Sequence, residues 1–126
     1  QHVTIKQATG DAKYGDQNTD GSRSVRRNFQ RLREAGATAA LMLCTAAAKG
    51  WQVDPYECET QAHFVVHKPT GRKVAFADVV AVAAKLPVPK PSDLKLKSRD
   101  KWTQIGKAVP SVDLTGMTTG TGSNSD

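Results

Sequence analysis

Four consecutive residues, Gly21, Ser22, Arg23 and Ser24, bring together groups that phosphate oxygens can use. A glycine frees the backbone to turn, two serine hydroxyls can cap or donate, and a guanidinium offers a planar fork of donors. They stand where a helical pattern begins, and helix N-termini present free N–H groups to anions. The surrounding stretch, DGSRSVRRNFQRLR over residues 20–33, carries Arg23, Arg26, Arg27, Arg31 and Arg33. That runs against helix chemistry, because the first turn favours acidic side chains. Either these arginines point into solvent, or an anion belonging to another molecule sits among them.

The remaining chemistry-bearing residues read more plainly. Cys44 and Cys58 are not spaced as a CxxC pair, and Cys44 falls in an alanine-rich helical stretch as a small buried hydrophobe. A bridge between them would require an oxidising compartment. His2, His63 and His67 are scattered; His63 and His67 fall on one face of a strand-like stretch, but far apart, which is no metal-ligand pattern. Asp11, Asp16 and Asp20 are loop and cap residues, too sparse for a calcium loop. Trp51 and Trp102 read as packing anchors, and Lys95, Lys97 and Arg99 as a solvated basic connector.

Composition bounds the partners. A net charge of +6 leaves nucleic acid, acidic membranes and phosphorylated ligands open. The basic runs lack the aromatic interleaving of single-strand platforms, and no zinc-finger or helix-turn-helix signature appears, so nucleic acid is the lesser alternative. No apolar run approaches the ~20 residues of a membrane span. Only 38% of residues are apolar and 6% aromatic, with much of the apolar share alanine. Such a core is thin and is expected to be completed by more protein.

The elements that carry these groups follow from hydrophobic periodicity and turn residues. Residues 2–8 alternate as a short strand, with Val3 and Ile5 on one face. A Gly/Asp/Asn-rich loop follows. From Ser22 the period becomes helical, and Val25, Phe29, Leu32, Gly36, Leu43 and Ala47 recur at three- and four-residue steps, predicting a helix over about 23–49. Gly36 on that seam implies close approach of another backbone, and Gly50 a C-cap. Residues 57–60, 63–67 and 72–75 read as strands, with a tight turn at 68–71. A short helix beginning at Ala77 or Asp78 would bury Val79, Val80, Ala83 and Leu86, ending before an extended connector of Pro87, Pro89 and Pro91. Residues 99–114 have apolar positions without helical period, and 115–126 are expected to be disordered. The fold class is α+β: a long helix, a short N-terminal strand, a small antiparallel strand unit and a second short helix. The start at Gln1, in mid-pattern, suggests a piece of something longer.

The order and spacing of DAKYGDQNTDGSRSVRRNFQRLREAGATAALML, AAAKGWQVDPYEC, VVHKPTGRKVAFADVVAVAAKL and WTQIGKAVPSVDL with TTGTG carry a resemblance from about Val3 to Gly120. They resemble the molybdopterin-binding large subunit of the molybdenum hydroxylase (xanthine dehydrogenase/aldehyde oxidoreductase) superfamily, of the isoquinoline 1-oxidoreductase beta-subunit type. The resemblance implies that Gly21, Ser22, Arg23 and Ser24 contact the phosphates of a molybdopterin cytosine dinucleotide carrying molybdenum, with Gln17 and Thr19 as weaker neighbours. It implies as partners the remainder of the molybdenum-binding subunit and an iron–sulfur subunit. Residues 1–86 would be part of the molybdopterin-binding domain, 87–98 a Pro/Lys-rich linker, and 99–126 a connector toward a hammerhead-like domain with a flexible C-terminal part. Family members are several times longer and use a glutamate near the C-terminus as general base. Glu34, Glu57 and Glu59 lie in no matching context, so no catalytic or metal-binding residue is expected here and the chain is not expected to be catalytic alone. The alternative is a non-enzymatic basic adaptor that binds nucleic acid or another polyanion.

Overall fold

A computed structural model describes residues 9–111 and 114–120. The expected strand over 2–8 lies outside the described residues. The chain divides into two units: Thr19–Leu96, and the described residues of Gln1–Asn18 with Lys97–Asp126.

The first unit is built on helix α1, Arg23–Trp51. It is followed by a three-stranded antiparallel sheet of β1 (Cys58–Gln61), β2 (Phe64–His67) and β3 (Lys73–Ala75), in that spatial order. Helix α2, Phe76–Ala83, leaves β3 without a loop. The α+β class, with its long helix, antiparallel strand unit and second short helix, therefore matches the sequence pattern. Strand register puts Cys58 opposite His67, and Thr60, Val65 and Val74 in one row across the sheet. Because side chains alternate along a strand, Val65 and His67 share the inward face while Phe64 turns outward.

The core is made of small side chains: Cys44, Ala46, Ala47 and Ala48 of α1, Cys58, Val65, and Val79 and Ala83 of α2. Val65 is the largest fully buried one. Alanines on the inner face of α1 let its backbone come close to the sheet, at the expense of transfer energy per residue. Trp51, Val53, Val74, Phe76 and Leu86 close the edge of this cluster. Both cysteines are free thiols, and burial pushes the Cys44 thiol up to about 11.

Several boundaries differ from the sequence reading. The β1–β2 turn is Ala62–His63, both at positive φ (44° and 73°), so His63 is a turn residue and shares no strand face with His67. Positive φ at both central positions is the hairpin geometry that normally takes Asn-Gly, and Ala-His carries no such signal. Gly50 remains helical. The left-handed residue ending α1 is Gln52 (φ 57°), with the Gln52 and Val53 amides both donating to the Ala48 carbonyl. Val80 is exposed rather than buried, because the short α2 turns only its Val79–Ala83 face to the core. Residues beyond Pro87 do not simply extend away. Leu86, Pro87, Pro89 and Asp93 line a groove with Leu41 and Met42 of α1, and the Lys95 ammonium lies 4.1 Å from the Tyr56 ring centroid.

Gly36 contradicts its expectation most clearly. A Cβ there would meet nothing within 4 Å, so among the described residues no backbone packs against it. Gly36→Ala is therefore expected to stabilise the free chain by about 1 kcal/mol, the helix-propensity difference, since no contact opposes it. A higher urea midpoint with unchanged m-value would show this; a lower midpoint would mean the site is crowded after all.

The second unit is described by itself. It holds a short 3-10 turn at Ala12–Tyr14, capped by the Asp11 carboxylate accepting from the Lys13 amide at 2.9 Å. Asp16 likewise accepts from the Asn18 amide at 3.0 Å, as loop aspartates do. Trp102 is half-buried, its indole N–H donating to the Lys97 carbonyl at 3.1 Å. Running from the end of 99–114 into the stretch expected to be disordered, Leu114–Thr119 forms a short helix, α3. Its Thr118 and Thr119 hydroxyls donate back to the Leu114 and Thr115 carbonyls, which supports a turn that composition alone disfavours.

Candidate anion-binding site

The sequence-predicted residues meet at one turn. The Arg23 amide donates to the Asp20 carbonyl at 3.1 Å, closing a four-residue turn whose central residues, Gly21 and Ser22, both have positive φ (54° and 56°). This is the signature of a type I′ turn, which glycine adopts freely and serine does not. A left-handed non-glycine residue costs roughly 1–2 kcal/mol, and at a helix start Ser22 returns nothing for it by capping. Its side chain makes no cap hydrogen bond to α1, although serine is among the preferred N-cap types. The first turn of α1 contains no acidic residue.

Arg23 answers half of the charge problem from within the chain. Its guanidinium pairs with the Asp20 carboxylate, three residues upstream and just before the helix. Asp20 thus stands where the helix dipole welcomes negative charge, and it holds the Arg23 fork beside the turn. Ser24 and Arg26 are exposed on the first turns of α1. Gly21, Ser22, Arg23 and Ser24 are brought together as one strained turn entering a helix. Thr19 is exposed just before it, whereas Gln17 belongs to the other unit, its side-chain amide donating to the Asp11 carbonyl at 2.6 Å.

A second polar cluster was not legible in the sequence. His67 is 3% exposed, the buried polar residue of the core. Its Nδ1 lies 2.7 Å from Thr70 Oγ1 and its Nε2 3.2 Å from Glu57 Oε2. The Arg72 amide donates to Thr70 Oγ1, so the network is satisfied when Thr70 donates to Nδ1 and Nε2–H donates to Glu57. The Trp51 ring packs beside it, centroids 6.2 Å apart. This cluster ties the start of β1, the end of β2, the following turn and the end of α1. The signal available was the KPTG turn directly after His67; the missing part was the β1–β2 register that brings Glu57 alongside.

Among the described residues, no three His, Cys, Asp or Glu side chains come together as a metal-binding group. No helix of the described residues is long and apolar enough to cross a membrane.

Over 68 residues the chain is 37% identical to the isoquinoline 1-oxidoreductase subunit beta of Brevundimonas diminuta. The chain is similar, over about half of its length, to an oxidoreductase subunit. The matched region is 54% of this chain and 9% of that relative's length. No protein-family model and no solved structure matches the chain.

Proposed function

We propose that the chain is part of the large subunit of a molybdenum-containing oxidoreductase, of the kind that hydroxylates aldehydes or N-heterocycles. In this reading its role is to hold the phosphates of a molybdopterin cytosine dinucleotide at the start of α1. The observation that carries it is Ser22, a strained left-handed residue at a helix N-terminus whose hydroxyl does no capping there. Strain of this kind persists where the surrounding structure uses it, which makes it a pointer to function. The partial identity to an oxidoreductase subunit supports the same reading.

The residues present fit a pyrophosphate group. Ser22 and Ser24 supply hydroxyl donors, the first turn of α1 supplies backbone N–H groups, and Arg23, held by Asp20, supplies a fork for charge-assisted bonds. When bound, the group would supply the oxygen-transfer and electron-transfer chemistry, with electrons leaving to an iron–sulfur partner subunit. The chain's own residues bind and orient its phosphates; they carry no catalytic step.

A basic adaptor for nucleic acid is the second reading, favoured by the exposed arginines that follow along α1. Binding of cytidine diphosphate and of random-sequence single-stranded DNA to the full chain, across a salt series, separates the two. The cofactor reading expects cytidine diphosphate to bind with a shallow salt dependence. DNA binding that dominates and falls steeply with salt would replace it with the adaptor.

A further inference from the structure

The N-terminal half of α1 carries a seam with nothing of this unit's core over it. From Met42 and Leu43 onward the helix packs its inner face against the core shared with the sheet and α2. Upstream of Leu43, the same three- and four-residue steps continue through Ala39, Gly36, Leu32, Phe29 and Val25. Yet Val25 is 76% and Leu32 70% exposed, and the space over Gly36 is open. Steps of four and three in alternation are those of a coiled-coil seam, in which small residues admit close approach of a second helix. Arg26 and Arg33 each directly follow a seam residue, Val25 and Leu32, and so line one flank. The Arg33 guanidinium also lies 5.4 Å from the Phe29 ring centroid, so cation and seam form one surface.

We infer that residues 25–36 of α1 are a docking surface for an amphipathic helix of a protein partner that carries Glu or Asp beside its own apolar seam. Charge selects this occupant. A second copy of this chain would bring a second arginine-rich helix against the first, where like charges repel. A lipid surface would need a broad apolar face, whereas here arginines border a stripe about one residue wide. An acidic helix satisfies both the seam and its flank. Arg26, Arg33 and Gly36 lie outside Gly21–Ser24, so the surface stands whether or not that turn holds phosphate.

The test uses the full chain and a labelled synthetic helical peptide with a Leu/Ile seam and Glu at its flanking positions. Comparison probes are the same peptide with Lys at those positions, vesicles of phosphatidylglycerol and phosphatidylcholine, and sedimentation of the chain alone. The Glu peptide is expected to bind in preference to the Lys peptide. Arg26→Glu with Arg33→Glu is expected to weaken it at least about tenfold and to transfer preference to the Lys peptide. Gly36→Leu is expected to weaken Glu-peptide binding to a similar degree without lowering the melting temperature of the free chain, because its side chain meets open space there. Equal binding of the two peptides, insensitivity to charge reversal, or preferential association with vesicles or with a second copy would overturn the inference.

Discussion

Replacing His67 with alanine is expected to destabilise the folded chain by about 2–4 kcal/mol. The side chain is buried beside Trp51, in a core otherwise made mostly of alanine, cysteine and valine. Removing the ring leaves a cavity that these short neighbours cannot fill. It also takes away the acceptor for the Thr70 hydroxyl and the donor to Glu57. The loss of Glu57's partner matters less, because that carboxylate is about half exposed and can turn to water. Glu57→Gln should therefore cost under about 1 kcal/mol, and the contrast between the two variants is the diagnostic result. Urea denaturation of both, with the m-value monitored, provides the measurement. Equal losses would mean that the hydrogen bond to Glu57, rather than burial and the turn contact, dominates.

The second large effect concerns ligand binding. Ser22→Gly is expected to raise the stability of the free chain by about 1 kcal/mol, since glycine adopts the left-handed conformation without strain. The same change removes a hydroxyl from the candidate site, so affinity for cytidine diphosphate should fall while stability rises. Arg23→Ala is expected to weaken that binding about tenfold or more, the scale of one charge-assisted contact. Its effect on the free chain should stay within a few tenths of a kcal/mol, because its pairing with Asp20 is partly solvent-exposed. Calorimetric titration and thermal unfolding on the same samples give both quantities. Opposite signs for Ser22→Gly are the mark of strain kept for binding. A gain in stability with unchanged affinity would make the turn a structural irregularity.

Elements with strong local signals were legible in the sequence. The switch to a 3.6-residue period located α1, and the proline run located the end of α2. Turn chemistry without its usual residues was not legible. Ala62–His63 adopts a geometry that glycine and asparagine normally fill, and Gln52 takes the place expected of Gly50. In both cases pairing of flanking elements determines the backbone, and local preference yields to it. The inward face shared by Cys58, His67 and Val65 follows from register, which depends on those turns. Of the candidate site, the residue types and their position before a helix were visible, but the left-handed conformation of Ser22 and the Asp20–Arg23 pair were not. Gly36 shows the reverse case. Its spacing implied close approach of another backbone, but none of the described residues comes within 4 Å of a Cβ placed there.

In the proposed function, the Gly21–Ser24 turn holds cofactor phosphates. Amide chemical-shift mapping of the full chain during titration with cytidine diphosphate tests it most directly. The predicted result is saturable shifts concentrated at Gly21, Ser22, Arg23 and Ser24 and in the first turn of α1, reduced by Arg23→Ala. Shifts spread along Arg26, Arg27, Arg31 and Arg33, indifferent to Arg23→Ala and reproduced equally by single-stranded DNA, would contradict it.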